Sequence, residues 1–191
     1  MKLEKIASIL NDQCKKFLLD TSYKPLYKGV DSMKGKFIKY AINKNKRNAY
    51  AEFNFTKGFN DAMKQNFKAT ITNSVFCIGD SMNTVCYGEY LYRIFIINSY
   101  DFTYSTKHIN WLDDSDDYYS EKYDSKSKSD KYRIGFNWYK EIKNTYRNDN
   151  IVSGINSNNE ILITNNDGYY SLYLNHDEDD KELNKLLKQM K

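Results

Sequence analysis

One proline, eight glycines, three cysteines and two histidines in 191 residues leave this chain poor in the residue types that mark tight turns, crosslinks and metal sites. Cys14, Cys77 and Cys86 are odd in number and lack a C-x-x-C spacing. That excludes a disulfide framework and predicts small core residues in a reducing compartment. His108 and His176 lie far apart with no cysteines clustered near them, so no histidine-based zinc site is expected and the metal prediction is none. The longest apolar run, Ile94 to Ile97, is far below the roughly 20 residues that cross a bilayer. Met1 to Leu19 has no apolar stretch of the signal-peptide kind, so a soluble, unexported, cytoplasmic protein without a membrane partner is expected. The patterns G-x-G-x-x-G, G-x-x-x-x-G-K-[ST], H-E-x-x-H and G-x-S-x-G are all missing. Rossmann, P-loop, zinc-protease and α/β-hydrolase readings therefore have no motif behind them.

What is present is a folding composition. Apolar residues make up 40% and aromatic residues 16%, with 18 Tyr and 10 Phe, enough for one packed domain over 1–191. Lys and Arg exceed Asp and Glu by 29 to 25, and a net charge of +4 does not by itself mark a nucleic-acid binder.

Periodicity assigns the elements. Leu3, Ile6, Leu10, Cys14 and Phe17 recur at steps of three or four, the stripe of a helix docked on a core. Pro25 opens a strand at Leu26–Val30 that carries Lys28. Lys34 to Arg47 is rich in lysine and reads as a solvated helix or loop face. Thr56 suits the N-cap of a helix bearing Phe59, Met63 and Phe67. Thr70–Ile78, Tyr90–Ile97 and Asp101–Ser105 read as strands, with a short helix over Ser81–Tyr87. Residues 113–131, almost without aliphatics, predict a mobile loop or insertion before a helix spanning Lys131–Arg147. Asn165-Asn166-Asp167-Gly168 predicts a hairpin between Glu160–Thr164 and Tyr169–Leu174. A C-terminal amphipathic helix is expected over 176–191. The predicted fold class is α+β, a mixed or antiparallel sheet core flanked by helices.

Three short segments in a fixed order carry the functional signal: Leu26-Tyr27-Lys28-Gly29, Thr72-Asn73-Ser74-Val75-Phe76, and Asn158-Asn159-Glu160-Ile161-Leu162-Ile163. In this order the chain resembles the ADP-ribosyltransferase-like superfamily, in particular its Arg-Ser-Glu branch and small phage or viral proteins of that kind. In that branch a first strand carries an Arg in a pattern like Leu-Tyr-Arg-Gly, a later strand opens with Ser-Thr-Ser, and a catalytic Glu heads a strand continuing in aliphatics. The likeness touches most of Pro25–Ser105 and Asn156–Leu174. Lys28 stands where the family has Arg, keeping the charge without the planar fork, and Asn73 stands for the central Thr.

The resemblance implies an ADP-ribosyltransferase-like fold and an NAD-dependent mono-ADP-ribosyltransferase or NAD glycohydrolase acting on a host macromolecule, with NAD as substrate. It implies Glu160 as the catalytic carboxylate, facing positive charge that develops on the ribose. It also implies Lys28, Thr72, Ser74, Phe76 and Tyr87 as NAD-binding residues, a host protein or nucleic acid as acceptor, and the host cytoplasm as location. A second reading keeps the scaffold as a catalytically eroded binding protein that blocks a host defence component. A third reads Lys34 to Arg47, with Tyr40 and Tyr50 as stacking groups, as a nucleic-acid surface.

Overall fold

The computed structural model describes residues 1–42, 53–82, 88–107, 126–173 and 177–189, with Trp111, Asp114, Ser115 and Tyr118 between them. In chain order the elements are α1 (Leu3–Gln13), α2 (Lys15–Asp20), β1 (Tyr27–Val30), β2 (Phe37–Tyr40), α3 (Phe53–Met63), β3 (Val75–Cys77), β4 (Tyr90–Ile96) and β5 (Asp101–Ser105). They continue with α4 (Lys128–Ile142), a 3-10 turn (Lys143–Thr145), β6 (Tyr146–Arg147), α5 (Ile151–Ser157), β7 (Ile161–Thr164), β8 (Tyr169–Tyr173) and α6 (Asp177–Gln189). The strands form two antiparallel four-stranded sheets, sheet A in the order β1-β4-β8-β2 and sheet B in the order β3-β7-β5-β6. An isolated bridge between Tyr27 and Ile78 ties the two together. The α+β expectation holds at this level. No helix of the described residues is long and apolar enough to cross a membrane.

The N-terminal stripe does what its spacing predicts. Ile6, Leu10, Cys14 and Phe17 are buried, and the helix breaks at Cys14 (φ −117°, ψ 17°), so α1 and α2 present the stripe from two axes. Burial pushes the Cys14 thiol up to about 12, which keeps it protonated and unreactive. Leu183 and Leu187 of α6 join the same core, which extends through Phe95 and Leu172 of sheet A to Ile161 and Ile163 of sheet B.

A second, aromatic core lies where α3 and α4 cross. Phe55, Phe59, Trp111, Trp138, Tyr139, Tyr146 and Leu162 are among its buried members. The helices approach closely because glycines face backbone from both sides: a Cβ on Gly58 would strike the Tyr132 carbonyl, and one on Gly135 would strike the carbonyl of Phe55. Phe59 then reaches Trp111, Trp138 and Tyr139 at ring-centroid distances of 5.4, 5.0 and 5.3 Å, within the range of favourable aromatic pairs.

Several sequence expectations change. The predicted Glu160 hairpin does not exist: β7 sits in sheet B between β3 and β5, and β8 sits in sheet A between β4 and β2. Both strands are buried almost throughout, and each gains two flanking ladders by going to a different sheet. Asn165 turns the chain between them, its Nδ2 donating to the Ile97 and Gly168 carbonyls and its Oδ1 accepting from the Gly168 N–H. Within the lysine-rich stretch, Phe37–Tyr40 is a strand, paired through Phe37 and Tyr40 with Leu172 and Tyr169. Thr56 lies inside α3 rather than capping it. Only Val75–Cys77 of the Thr70–Ile78 run is strand, because Asn73 Oδ1 accepts from the Thr70 N–H and closes a turn there. Helix α4 begins at Lys128, capped by the Ser127 hydroxyl accepting from Asp130 N–H, and ends at Ile142, so Tyr146 belongs to β6. Helix α5 was not foreseen; Asn150 caps it through Val152 and Ser153 N–H. Of the expected Ser81–Tyr87 helix, Ser81 and Met82 form a turn and residues 83–87 lie outside the described residues, as do most of 113–127.

Arg93 is a buried cation on β4. It donates to Asp180 Oδ1 at 2.6 Å and to Asn184 Oδ1 at 2.9 Å, and Tyr27 OH donates to Asp180 Oδ2, so charge recognition clamps α6 onto sheet A. For the α3–α4 crossing, Gly58→Ala forces two backbones apart. A loss of about 1–3 kcal/mol is expected from such overpacking. An unchanged urea midpoint for that variant would show that the close approach is not needed.

Candidate functional site

Glu160 stands immediately before β7, delivered there by the end of α5. Asn158 closes that helix in the left-handed region (φ 56°), and Asn159 ties the exit with its side-chain amide donating to the Ser105 carbonyl at 3.1 Å. The ladder then continues one residue beyond the strand: Ser105 N–H donates to the Glu160 carbonyl. Cys77 pairs with Ile161 and Tyr104 with Ile161, so Glu160 is level with Ile78 on one side and Ser105 on the other.

Side chains alternate across a pleated strand, which puts Glu160 on the face of Leu162 and away from that of Ile161 and Ile163. Leu162 belongs to the aromatic core, and Glu160 is buried against it, only 7% exposed. Its Oε2 accepts the Trp111 backbone N–H at 3.2 Å. Trp111 is helical, as are Asp114, Ser115 and Tyr118. The carboxylate therefore anchors a helical turn from inside the core. Tyr146 is buried near it in the same core, and its phenol is held well above the ordinary value, first by burial and then by the negative charge of Glu160 and Asp114.

Lys28 lies half-buried on β1, in register with Tyr92 of β4. Its neighbour Tyr27 exchanges both backbone hydrogen bonds with Ile78, at 2.9 and 3.0 Å. Tyr27 and Ile78 therefore share a face, Glu160 is level with Ile78, and Lys28, the next residue of β1, turns to the other face. Successive rows point to opposite faces. By this alternation Lys28 and Glu160 face away from each other.

Ser74 sits one residue before the Val75–Ile163 pair, level with Thr164 at the far end of β7 from Glu160. Four residues of strand separate the two levels, about 13 Å. The Ser74 hydroxyl donates to Asn73 Oδ1, and the Thr72 N–H donates to Asn60 Oδ1 of α3. Thr164 Oγ1 in turn donates to the Asn73 carbonyl at 2.7 Å. Thr72–Ser74 is thus a turn that fastens α3 to β7. Phe76, opposite Leu162 and half-buried against the aromatic core, shares the face of Glu160 and lies nearer to it than Ser74, which the same register puts on that face at the far end of the strand. Tyr87 lies outside the described residues. The neighbours that matter most to Glu160, Trp111 and Tyr146, were not singled out as site residues; Tyr146 showed only as part of a helical stripe. Among the described residues, no group of three or more His, Cys, Asp or Glu side chains is placed to hold a metal ion.

Comparison with protein-family models, with curated proteins and with solved structures finds no match to this chain.

Two outcomes follow from this geometry. Glu160→Ala removes the acceptor for a buried N–H and is expected to cost about 1–3 kcal/mol in urea denaturation, whereas Glu160→Gln keeps an acceptor oxygen and costs less; equal losses would contradict the anchoring role. Tyr146 has its phenol raised in the fold above the ordinary value of 10.0, so its contribution to stability is complete below about pH 10 and is lost as pH rises further. Thermal melts across that range should fall on the alkaline side, and less steeply for Tyr146→Phe.

Proposed function

We propose that the chain is a binding protein with an ADP-ribosyltransferase-like pattern, acting on a macromolecular partner of a host cell without consuming NAD. The observation that carries this reading is the engagement of Glu160. Its carboxylate accepts the Trp111 N–H inside an aromatic core and faces away from Lys28. A carboxylate that stabilises positive charge on a ribose must reach the reacting ring. The Ser74 hydroxyl that would orient that ring is instead tied to Asn73, four residues along β7, in a turn that the Thr72 backbone N–H fastens to α3. A host defence component as partner is the form of this reading that the phage-type resemblance suggests.

A second observation favours the enzyme reading, an NAD-dependent mono-ADP-ribosyltransferase or NAD glycohydrolase. Three segments far apart in sequence run side by side: β1 meets β3 at the Tyr27–Ile78 bridge, and β3 pairs with β7. On this reading Glu160 is the catalytic carboxylate and Lys28 holds the pyrophosphate.

Nicotinamide release from NAD separates the two. The purified chain, alone and with bacterial lysate, is expected to release none above background, and Glu160→Gln is expected to behave as wild type. Release that disappears in a folded Glu160→Gln variant would overturn the binding reading in favour of the enzyme.

A further inference from the structure

The geometry points to a small-ligand site on the open edge of sheet B that takes an adenine nucleoside, with or without a 5′-phosphate. Strand β5 pairs with β7 along Asp101–Tyr104 but meets β6 only at Tyr104 and Ser105. Two bonds set the phase of these ladders: Ser105 N–H donates to the Glu160 carbonyl, and Thr106 N–H donates to the Thr145 carbonyl. Backbone groups alternate sides in an antiparallel strand, so odd-numbered residues of β5 address β7 and even-numbered ones address the β6 side. Phe102 is even. Its register partner would be Asp149, which lies past the end of β6 at Arg147, in the turn before α5. The N–H and C=O of Phe102 thus point outward where the β6 ladder has already stopped.

A cavity of about 290 Å³ opens at that place, lined by Asn66, Lys68, Tyr100, Asp101, Phe102 and Asn148. Its volume is at the bottom of the range for small-molecule sites, which suits a nucleoside and is small for a dinucleotide such as NAD. Tyr100 and Phe102 supply aromatic walls, 6.3 Å apart and tilted by 45°. The Tyr100 hydroxyl is committed to Asp20 at 2.9 Å, so that wall is fixed in place. At the rim, Lys68 and Asp101 form an exposed ion pair of 3.3 Å. An adenine edge carries a donor beside an acceptor, the complement of the outward C=O and N–H of a single strand residue. The Asp101 carboxylate suits ribose hydroxyls, and the Lys68 ammonium suits a phosphate. The site is at the Thr164 end of β7 and uses neither Glu160 nor Lys28, so it stands or falls apart from the reading of the NAD chemistry.

The test is a backbone-amide NMR titration of the full chain with adenosine, AMP and purine riboside, which lacks the 6-amino donor. Adenosine at millimolar concentration is expected to shift the Phe102, Asp101, Lys68 and Asn148 amides. Purine riboside should bind several-fold more weakly, and AMP should lose roughly threefold in affinity in Lys68→Ala, the scale of one exposed charge pair. Phe102→Pro, which removes the outward N–H at a position a strand edge tolerates, should abolish binding in a folded protein. Shifts confined to other parts of the chain, no shifts at all, or equal binding of adenosine and purine riboside would each overturn the site. The purine riboside comparison uses wild-type protein, so it decides the matter even if Phe102→Pro does not fold.

Discussion

The two backbone hydrogen bonds between Tyr27 and Ile78 set which side chains of this protein share a face. They join sheet A to sheet B, and through β3 they fix the row in which Glu160 stands. Pleating has a period of two, so a one-residue slip at this bridge would exchange faces for every residue on β1 relative to sheet B. With the bridge where it is, Lys28 alternates to the face away from Tyr27 and Ile78, and Glu160 stands level with Ile78, turned toward the aromatic core. The functional reading follows from that parity.

Buried charge is handled in the same way in two places. A carboxylate or guanidinium taken out of water is costly unless hydrogen bonds replace the lost solvation. Arg93 has Asp180 and Asn184 of α6, and Glu160 has the Trp111 N–H. Each polar group ties an element to the sheets beside its apolar packing: Arg93 holds α6, and Glu160 holds the backbone at Trp111. Around Glu160 the aromatic cluster and the glycine crossing of α3 and α4 complete the enclosure, and the raised Tyr146 phenol is a direct consequence of it. An anchored, enclosed carboxylate is a structural part first, which is why the binding reading takes precedence over chemistry at Glu160.

The open edge of sheet B has the opposite character. β6 stops after two residues because Asn150 turns the chain into α5, and the ladder ends before β5 does. Backbone groups at Phe102 are left facing a small cavity with polar side chains at its rim. In an otherwise well-paired sheet, the interrupted strand is where a ligand finds hydrogen-bonding capacity ready made.

Local pattern was enough to read the α+β class, the stripes of α1 and α4, the bounds of β5 and the C-terminal helix, because each depends on a period of 3.6 or 2 within one segment. The ordered segments around Lys28, Ser74 and Glu160 were visible too, as residue types in a row. Their mutual geometry was not. Whether β7 and β8 form a hairpin or part into two sheets depends on how many flanking ladders each can gain, and an Asn-Asn-Asp-Gly turn is compatible with both. The strand at Phe37–Tyr40 was hidden by lysines that suit a solvated edge as well as a loop. The sequence by itself determined which apolar stripes had to be buried, because each is fixed by a period within one segment. Only the tertiary structure decided that Glu160 looks into an aromatic core while Lys28 looks away from it, because facing is a matter of register between strands, and register is set by long-range pairing.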